Sequence, residues 1–332
     1  MRNMKIENSE PSYGKYILDE FEFEYGRILH DVQVEYTTRG TPKYDDKGNI
    51  INAVILCHKF NGNYASIDDF YQLIGREGVL SDYGFFYVSI TSLGFPESCS
   101  PSETGLMYDF PQYSVKDRVN FKRQFLAQKF GITKVRGIVG VGVGGYEVYT
   151  WACEYPEEMD FIIIGTSSFK TNGYRYVASK IIDAMIESSD AYYEGTYSES
   201  LLRVMISINR LIYSHFFSKK VFQNMSRDEI DVLMDDFVDE GLFIDIYDFK
   251  FRNDAVLAYD VEEKLANIKA KTLIIGPSID IYYSPEFDIY PLKDIIENLE
   301  IYIYDSKQNY LPNEDYSKIG EILLEFLEEF KQ

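Results

Sequence analysis

Histidine is scarce in this chain: His30, His58 and His215 are the only three in 332 residues. Proton transfer near neutral pH most often relies on histidine, so the candidates are soon counted. Cysteine is equally sparse, at Cys57, Cys99 and Cys153. An odd, widely spaced set argues against a disulfide framework and against a zinc site. Positive charge is also in short supply. The 33 Lys and Arg face 54 Asp and Glu, for a formal net charge of −21. A field of that sign repels phosphate backbones and anionic lipid, which argues against nucleic acid and membrane surfaces as partners. No segment is long and apolar enough to span a bilayer, and the stretch from Met1 to Tyr16 has no apolar core of signal-peptide length. The expectation is a reduced, cytoplasmic protein. No metal is expected either: Asp235, Asp236, Asp239 and Glu240 read as one solvated helix face.

Aromatic residues are plentiful, with 29 Tyr and 23 Phe. Tyrosine suits core edges and pocket walls, where its ring is dry and its hydroxyl wet. The length fits one large domain or a domain carrying an insertion.

The first part reads as β-rich. Phe21 to Phe23 and Val32 to Tyr36 alternate apolar and polar residues, as half-buried strands do. Ala53 to Cys57 is a short apolar run of the kind found in a buried parallel strand. Strands at Phe85–Ile90, Val135–Gly140 and Asp160–Gly165 then alternate with helices at Val115–Lys129 and Gly145–Glu154. Such alternation builds a parallel sheet covered by helices. From 171 to 248 the strand signal stops. Ala178–Ser188 and Ser200–Phe217 are amphipathic, and Ser226 with Glu229 forms a capping box that opens a third helix. This segment is expected to be a helical lid inserted into a core made of 1–170 and 249–332. Strands at Thr272–Ile275 and Leu299–Tyr304 and a helix over 315–330 complete the core.

The glycine-rich turn Gly140-Val-Gly142-Val-Gly144-Gly145 follows a strand and opens a helix. It satisfies the spacing of a dinucleotide-binding fingerprint. That fingerprint normally sits on the first strand of its domain with an acidic residue at the end of the next strand. Here strands precede it, and the next strand ends in Gly165-Thr166-Ser167. The better reading is a nucleophile elbow, G-x-S-x-G, whose strained turn lifts a serine above the sheet. Gly140 and Gly144 take the flanking positions and Gly142 the central one. A glycine there suits the strained backbone but has no side chain with which to attack a carbonyl.

Several ordered segments resemble the homoserine O-acetyltransferase family. They are Val54–Gly62, Leu73–Gly75 and Ser81–Val88, then Ser92–Gly94 with Ser100–Ser102, Asp109–Pro111, Ser114–Val119, Phe130–Ile132, and Gly144 through Trp151-Ala152 to Tyr155-Pro156. The resemblance covers most of the chain outside the lid. It implies an α/β-hydrolase fold with a mostly parallel central sheet, and acyl transfer from acyl-CoA to a hydroxyl through a Ser-Asp-His triad. Carried over by position, the serine is Gly142 and the acid is Asp280, just after a strand. The histidine position falls at Lys307, with Gln308 as the alternative. The oxyanion loop holds His58, Phe60 and Asn61, and the backbone N–H groups of Phe60 and Val143 would form the oxyanion hole. His58 reads as a structural hydrogen-bonding residue rather than a base.

The resemblance therefore implies a relative whose triad is degenerate. Its expected role is to bind a small ligand, an acyl-CoA or a partner protein between lid and core. The alternative is an acyltransferase or ester hydrolase with residual or altered catalysis. Lys307 is expected to pair with Asp280 in the space left by the histidine. Cys99 is the only alternative nucleophile near the pocket. Arg203 and Arg210 are the lid arginines nearest the family's carboxylate-holding position, though neither falls in register. The family's dimeric habit points to Leu201, Leu202, Met205, Ile208, Leu211 and Ile212 as a lid stripe that either packs within the chain or pairs with a second copy. No cofactor is implied; acyl-CoA would enter as ligand or co-substrate.

Overall fold

The computed structural model describes residues 10–305 and 316–331. Eight strands form one sheet in the order β1-β2-β4-β3-β5-β6-β7-β8. They are β1 (Ser12–Glu22), β2 (Ile28–Arg39), β3 (Ala53–Cys57), β4 (Phe86–Ile90), β5 (Val135–Val141), β6 (Met159–Gly165), β7 (Lys271–Pro277) and β8 (Leu299–Tyr304). β1 and β2 form an antiparallel hairpin, and β2 pairs antiparallel with β4. From β4 to β8 every pairing is parallel. This is the α/β-hydrolase sheet.

The central strands are apolar because both of their faces are covered. Every residue of β3 and β4 is buried, as expected where helices pack on both sides of a parallel sheet. β1 is instead mostly exposed and buries only Leu18 and Phe21.

The helices are α1 (Tyr71–Ile74), α2 (Pro101–Thr104), α3 (Val115–Phe130), α4 (Val143–Glu154), α5 (Gly173–Glu187), α6 (Asp190–Tyr193), α7 (Glu199–Tyr213), α8 (Lys219–Asn224), α9 (Arg227–Gly241), α10 (Ile246–Leu257) and α11 (Tyr316–Leu327). One face of the sheet packs on α3 and α4, with Val119, Phe125, Val148 and Trp151 in its core. The other face packs on α1 and α11, around Leu73, Phe161, Leu323 and Phe326. α3 starts at a capping box in which Ser114 and Asp117 satisfy each other's backbone N–H, and it stops at Gly131 in the left-handed region.

Helices α5 to α10 lie between β6 and β7. They have a core of their own, around Ile182, Ile186, Leu201, Met205, Ile208 and Tyr247. The helices expected at Ala178 and Ser200 are present, as is the Ser226–Glu229 capping box at the start of α9. The boundary expected at 248 falls inside α10. Ile246, Tyr247 and Phe249 of that helix pack with the inserted helices, whereas Phe251, Ala255 and Val256 join the main core. α10 is thus the rod that joins the two. Among the described residues no helix is long and apolar enough to cross a membrane.

Candidate functional site

The site is built on the turn between β5 and α4. Gly142 sits there with φ 59° and ψ −122°, a region that L-residues enter only under strain. Its N–H donates to the Gly165 carbonyl at 2.9 Å. Its carbonyl accepts the Ser167 hydroxyl at 2.6 Å. The turn is therefore held from β6 as well as by its own helix. A Cβ built on Gly142 would meet nothing within 4 Å, so the place of a nucleophile's side chain is open space. Gly144 is glycine for another reason. A Cβ there would lie 2.2 Å from the carbonyl oxygen of Cys57, because α4 crosses directly over the end of β3.

The loop after β3 supplies the opposite wall. His58 is buried, and both its ring nitrogens are engaged. Nδ1 lies 2.9 Å from the Lys59 carbonyl, and Nε2 accepts the Ser92 N–H at 2.9 Å. That arrangement places the proton on Nδ1 and keeps the ring neutral. Burial, reinforced by the nearby Lys122 ammonium, holds its pKa down at about 3. His58 braces the loop and has no free nitrogen for a substrate proton. The Phe60 carbonyl accepts Nη1 of Arg252 at 2.8 Å, and the Phe60 ring packs on Phe249 with centroids 5.2 Å apart. The loop is thus fastened to α10. Val143 is the first residue of α4, so its N–H has no acceptor within the helix. Asn61 is exposed and lines an opening of about 430 Å³ with Asn63, Glu97, Asn209, Glu240 and Arg252.

Asp280 follows β7 in a loop. Its Oδ1 accepts the backbone N–H groups of Tyr282 and Tyr283 at 2.7 and 2.8 Å. Burial pushes its carboxyl up to about 6, and the neighbouring Asp288 adds to the effect. Lys307 and Gln308, and with them the expected Asp280–Lys307 contact, lie outside the described residues. Next to Asp280, the Tyr283 hydroxyl reaches that of Tyr146 at 3.4 Å, and Tyr146 stacks on Tyr259 with centroids 3.9 Å apart.

The inserted helices contribute a cation that the sequence analysis did not single out. The Arg175 guanidinium lies 5.5 Å from the Phe60 ring centre and 5.4 Å from that of Tyr282, joining the two walls. Its signal was position: it stands in the first turn of α5, just past the carboxyl end of β6, where open parallel sheets place their ligands. Arg203 and Arg210 take no such place. Arg203 pairs with Glu199 on the exposed face of its own helix, and Arg210 lies 3.9 Å from Asp235, both side chains exposed. His215 packs at 5.4 Å from the Tyr282 ring, and burial lowers its pKa. His30 is exposed on β2, near Glu20.

The three cysteines are buried. Burial pushes the thiols of Cys57, Cys99 and Cys153 up to about 12. A thiol is nucleophilic as its thiolate, the form that burial disfavours at Cys99. Among the described residues no group of three or more His, Cys, Asp or Glu is arranged to hold a metal ion. Of the lid stripe, Leu201, Met205 and Ile208 are buried within the chain, and Leu202 is exposed.

No protein-family model matches the chain. A probable acyltransferase of Methanothermobacter thermautotrophicus is 38% identical over 322 residues, which span 97% of this chain and 99% of that one. Homoserine O-acetyltransferase of Haemophilus influenzae is 26% identical over 325 residues, spanning 86% and 88% of the two chains. Among solved structures, an acetylester hydrolase from Corynebacterium glutamicum superposes with a TM-score of 0.84 at 21% identity, covering 96% of each chain. Homoserine O-acetyltransferase from Bacillus anthracis superposes with a TM-score of 0.80 at 20% identity, covering 96% of this chain and 98% of that one. With the elbow turn, the β-strand order and these relatives together, the chain belongs to the homoserine O-acetyltransferase family of α/β-hydrolases.

Proposed function

We propose that this chain is a non-catalytic member of its family that binds a small carbonyl- or carboxylate-bearing ligand between the inserted helices and the sheet. The observation that carries this reading is Gly142. It occupies the elbow in the strained geometry of a nucleophile, with open space where the side chain would stand. Removing the serine or the histidine of such a triad costs about 10⁶ in turnover. Here the serine position is glycine, and the stretch Ser306–Asp315 where the histidine belongs contains none. What the site keeps is suited to binding. The Val143 N–H at the start of α4 can meet an oxyanion or carbonyl, and Arg175 supplies a cation at the same mouth. Acyl-CoA is one candidate ligand. A second copy of the chain docking on the α7 stripe would have to use Leu202 and the half-buried Leu211 and Ile212, since Leu201, Met205 and Ile208 are already packed; the mass in solution decides that.

The second reading is acyl transfer or ester hydrolysis by an altered route. One observation favours it: burial pushes the Asp280 carboxyl up to about 6, which suits a general base for an attacking hydroxyl. In that route the hydroxyl oxygen would attack a thioester directly, its proton passing to Asp280 and the thiolate leaving.

The test is turnover of acetyl-CoA and succinyl-CoA with homoserine, and of a simple aryl ester, by the wild type and Asp280→Asn. The expected result is no turnover above background, with heat of binding for at least one of these compounds. Turnover that Asp280→Asn abolishes would overturn the non-catalytic reading and establish the second.

A further inference from the structure

Behind the oxyanion loop lies a set of buried cations that the ligand site does not use. α3 carries Arg118 and Lys122, and α10 carries Arg252, all buried to 2% exposure or less. Lys122 is accounted for. Its Nζ lies 2.5 Å from Glu147 Oε2, and the other oxygen of Glu147 takes the Ser92 hydroxyl. Arg252 is partly accounted for. Nε donates to the Asp248 carbonyl and Nη1 to the Phe60 carbonyl, while Nη2 has no hydrogen-bond partner.

Arg118 differs from both. It is 0% exposed, and none of Nε, Nη1 and Nη2 has a hydrogen-bond partner among the described residues. The carboxylates around it are committed elsewhere, Glu147, which feels the Arg118 charge, to Lys122 and Ser92. Asp248 accepts the Ser102 N–H and the hydroxyls of Ser100 and Ser102. Asp117, its neighbour in sequence, accepts the N–H groups of Glu24 and Ser114. Aromatic faces give partial compensation, since the Arg118 guanidinium lies 4.9 Å from the Phe95 centroid and 5.3 Å from that of Tyr113. Those contacts satisfy the plane of the cation, while none of its N–H donors makes a well-formed hydrogen bond among the described residues. Arg252 stands 4.8 Å from the same Phe95 ring, and the buried Tyr113 hydroxyl, whose oxygen lies close to the Arg118 guanidinium, has no acceptor for its own O–H among the described residues. A full positive charge without an acceptor is among the costliest things a core can hold.

We propose that Arg118, together with the Tyr113 hydroxyl and Nη2 of Arg252, forms a buried site for one small monovalent anion of halide size. Every unsatisfied atom in the set is a donor, or can be one, so the ligand is an acceptor. The excess charge in the set is positive, so it is an anion rather than a water molecule. Full burial limits it to a single atom or little more. Because Arg252 also holds the Phe60 carbonyl, the anion would brace the oxyanion loop from behind.

The test begins with protein exchanged into gluconate and titrated with chloride or bromide at constant ionic strength. The expected outcome is a saturable rise of roughly 2–4 °C in the unfolding midpoint. Crystals soaked in bromide should show an anomalous peak beside Arg118 and the Tyr113 hydroxyl. Tyr113→Phe, which removes one donor and keeps the ring, should weaken the halide effect about tenfold, and Arg118→Met should abolish it. Should Arg118→Met fail to fold, the bromide map and Tyr113→Phe still decide. A halide-independent midpoint with a flat anomalous map would overturn the proposal in favour of buried water. A halide effect unchanged in Tyr113→Phe, with no peak at Arg118, would overturn it in favour of a general salt effect.

Discussion

Arg252 of α10 donates from Nη1 to the carbonyl of Phe60 at 2.8 Å, across 192 positions of sequence. The bond ties the inserted helices to the loop that would form half of an oxyanion hole. Its donor is fully charged and its acceptor is backbone, so the loop's position depends on where α10 sits. Arg252→Lys keeps the charge but cannot reach the Asp248 and Phe60 carbonyls together from one planar group. A loss of about 2–4 kcal/mol in urea unfolding is expected. The amides of residues 59–62 should exchange faster with deuterium than those of β5. Unchanged exchange in that loop would show that α10 does not hold it.

The two glycines of the elbow should respond unequally to the same small change. Gly142→Ala adds a methyl group where nothing lies within 4 Å. It costs only the strain of a positive φ, about 1–3 kcal/mol. Gly144→Ala drives a methyl group to 2.2 Å from the Cys57 carbonyl oxygen, and at least about 3 kcal/mol should be lost as α4 is forced off β3. Equilibrium unfolding of the two variants checks the order, and an equal cost would mean that α4 has room to shift.

Much of this was legible in the sequence, and the reasons differ from residue to residue. The run Val135–Val141 and the glycines after it fixed strand, turn and helix locally, so the elbow could be read without tertiary information. Arg118 could not. In Ser114-Val-Lys-Asp-Arg-Val the charges look like a solvated helix face, yet Asp117, Arg118 and Lys122 are all buried. α3 is covered on both sides, by the sheet and α4 and by the β1–β2 hairpin, whose Phe21 and Phe23 fold over it. Nothing local announces such a cover. Arg175 was missed for a related reason. It approaches Phe60 and Tyr282 from a segment whose pattern showed amphipathic helices and not what they lie against. The Asp280 position was implied by the family resemblance, and Lys307 and Gln308, expected beside it, lie outside the described residues.

The carboxyl of Asp248 should give the protein a measurable pH signature. Burial pushes it up to about 6, against an ordinary value near 4. A pKa raised in the folded state means that folding favours the protonated form. Its contribution is therefore fully present below about pH 4 and is lost as pH rises through about 6. Measured against Asp248→Asn, which cannot titrate there, the wild type should lose stability across that window and run parallel above it. Parallel curves from pH 4 upward would mean that the three hydrogen bonds from Ser100 and Ser102 offset the burial completely.

The thiols offer a simpler check. Cys57, Cys99 and Cys153 are all buried, so the native protein should react with an aromatic disulfide reagent only as fast as it opens. All three should react at once in denaturant. Rapid modification of one native thiol, above all Cys99, would reopen cysteine chemistry at this site.

The empty space above Gly142 also changes what can come close. In a relative with serine at the elbow, the side chain is a floor on which every ligand must rest. Here that floor is missing, and a ligand group can descend to the backbone itself. Compounds shaped to sit on a serine hydroxyl would leave a gap in this protein. A ligand with one further small branch at its carbonyl end would fill the gap, and would be shut out by relatives that keep the serine. Glycine at the centre of the elbow thus opens a selectivity pocket one side chain deep.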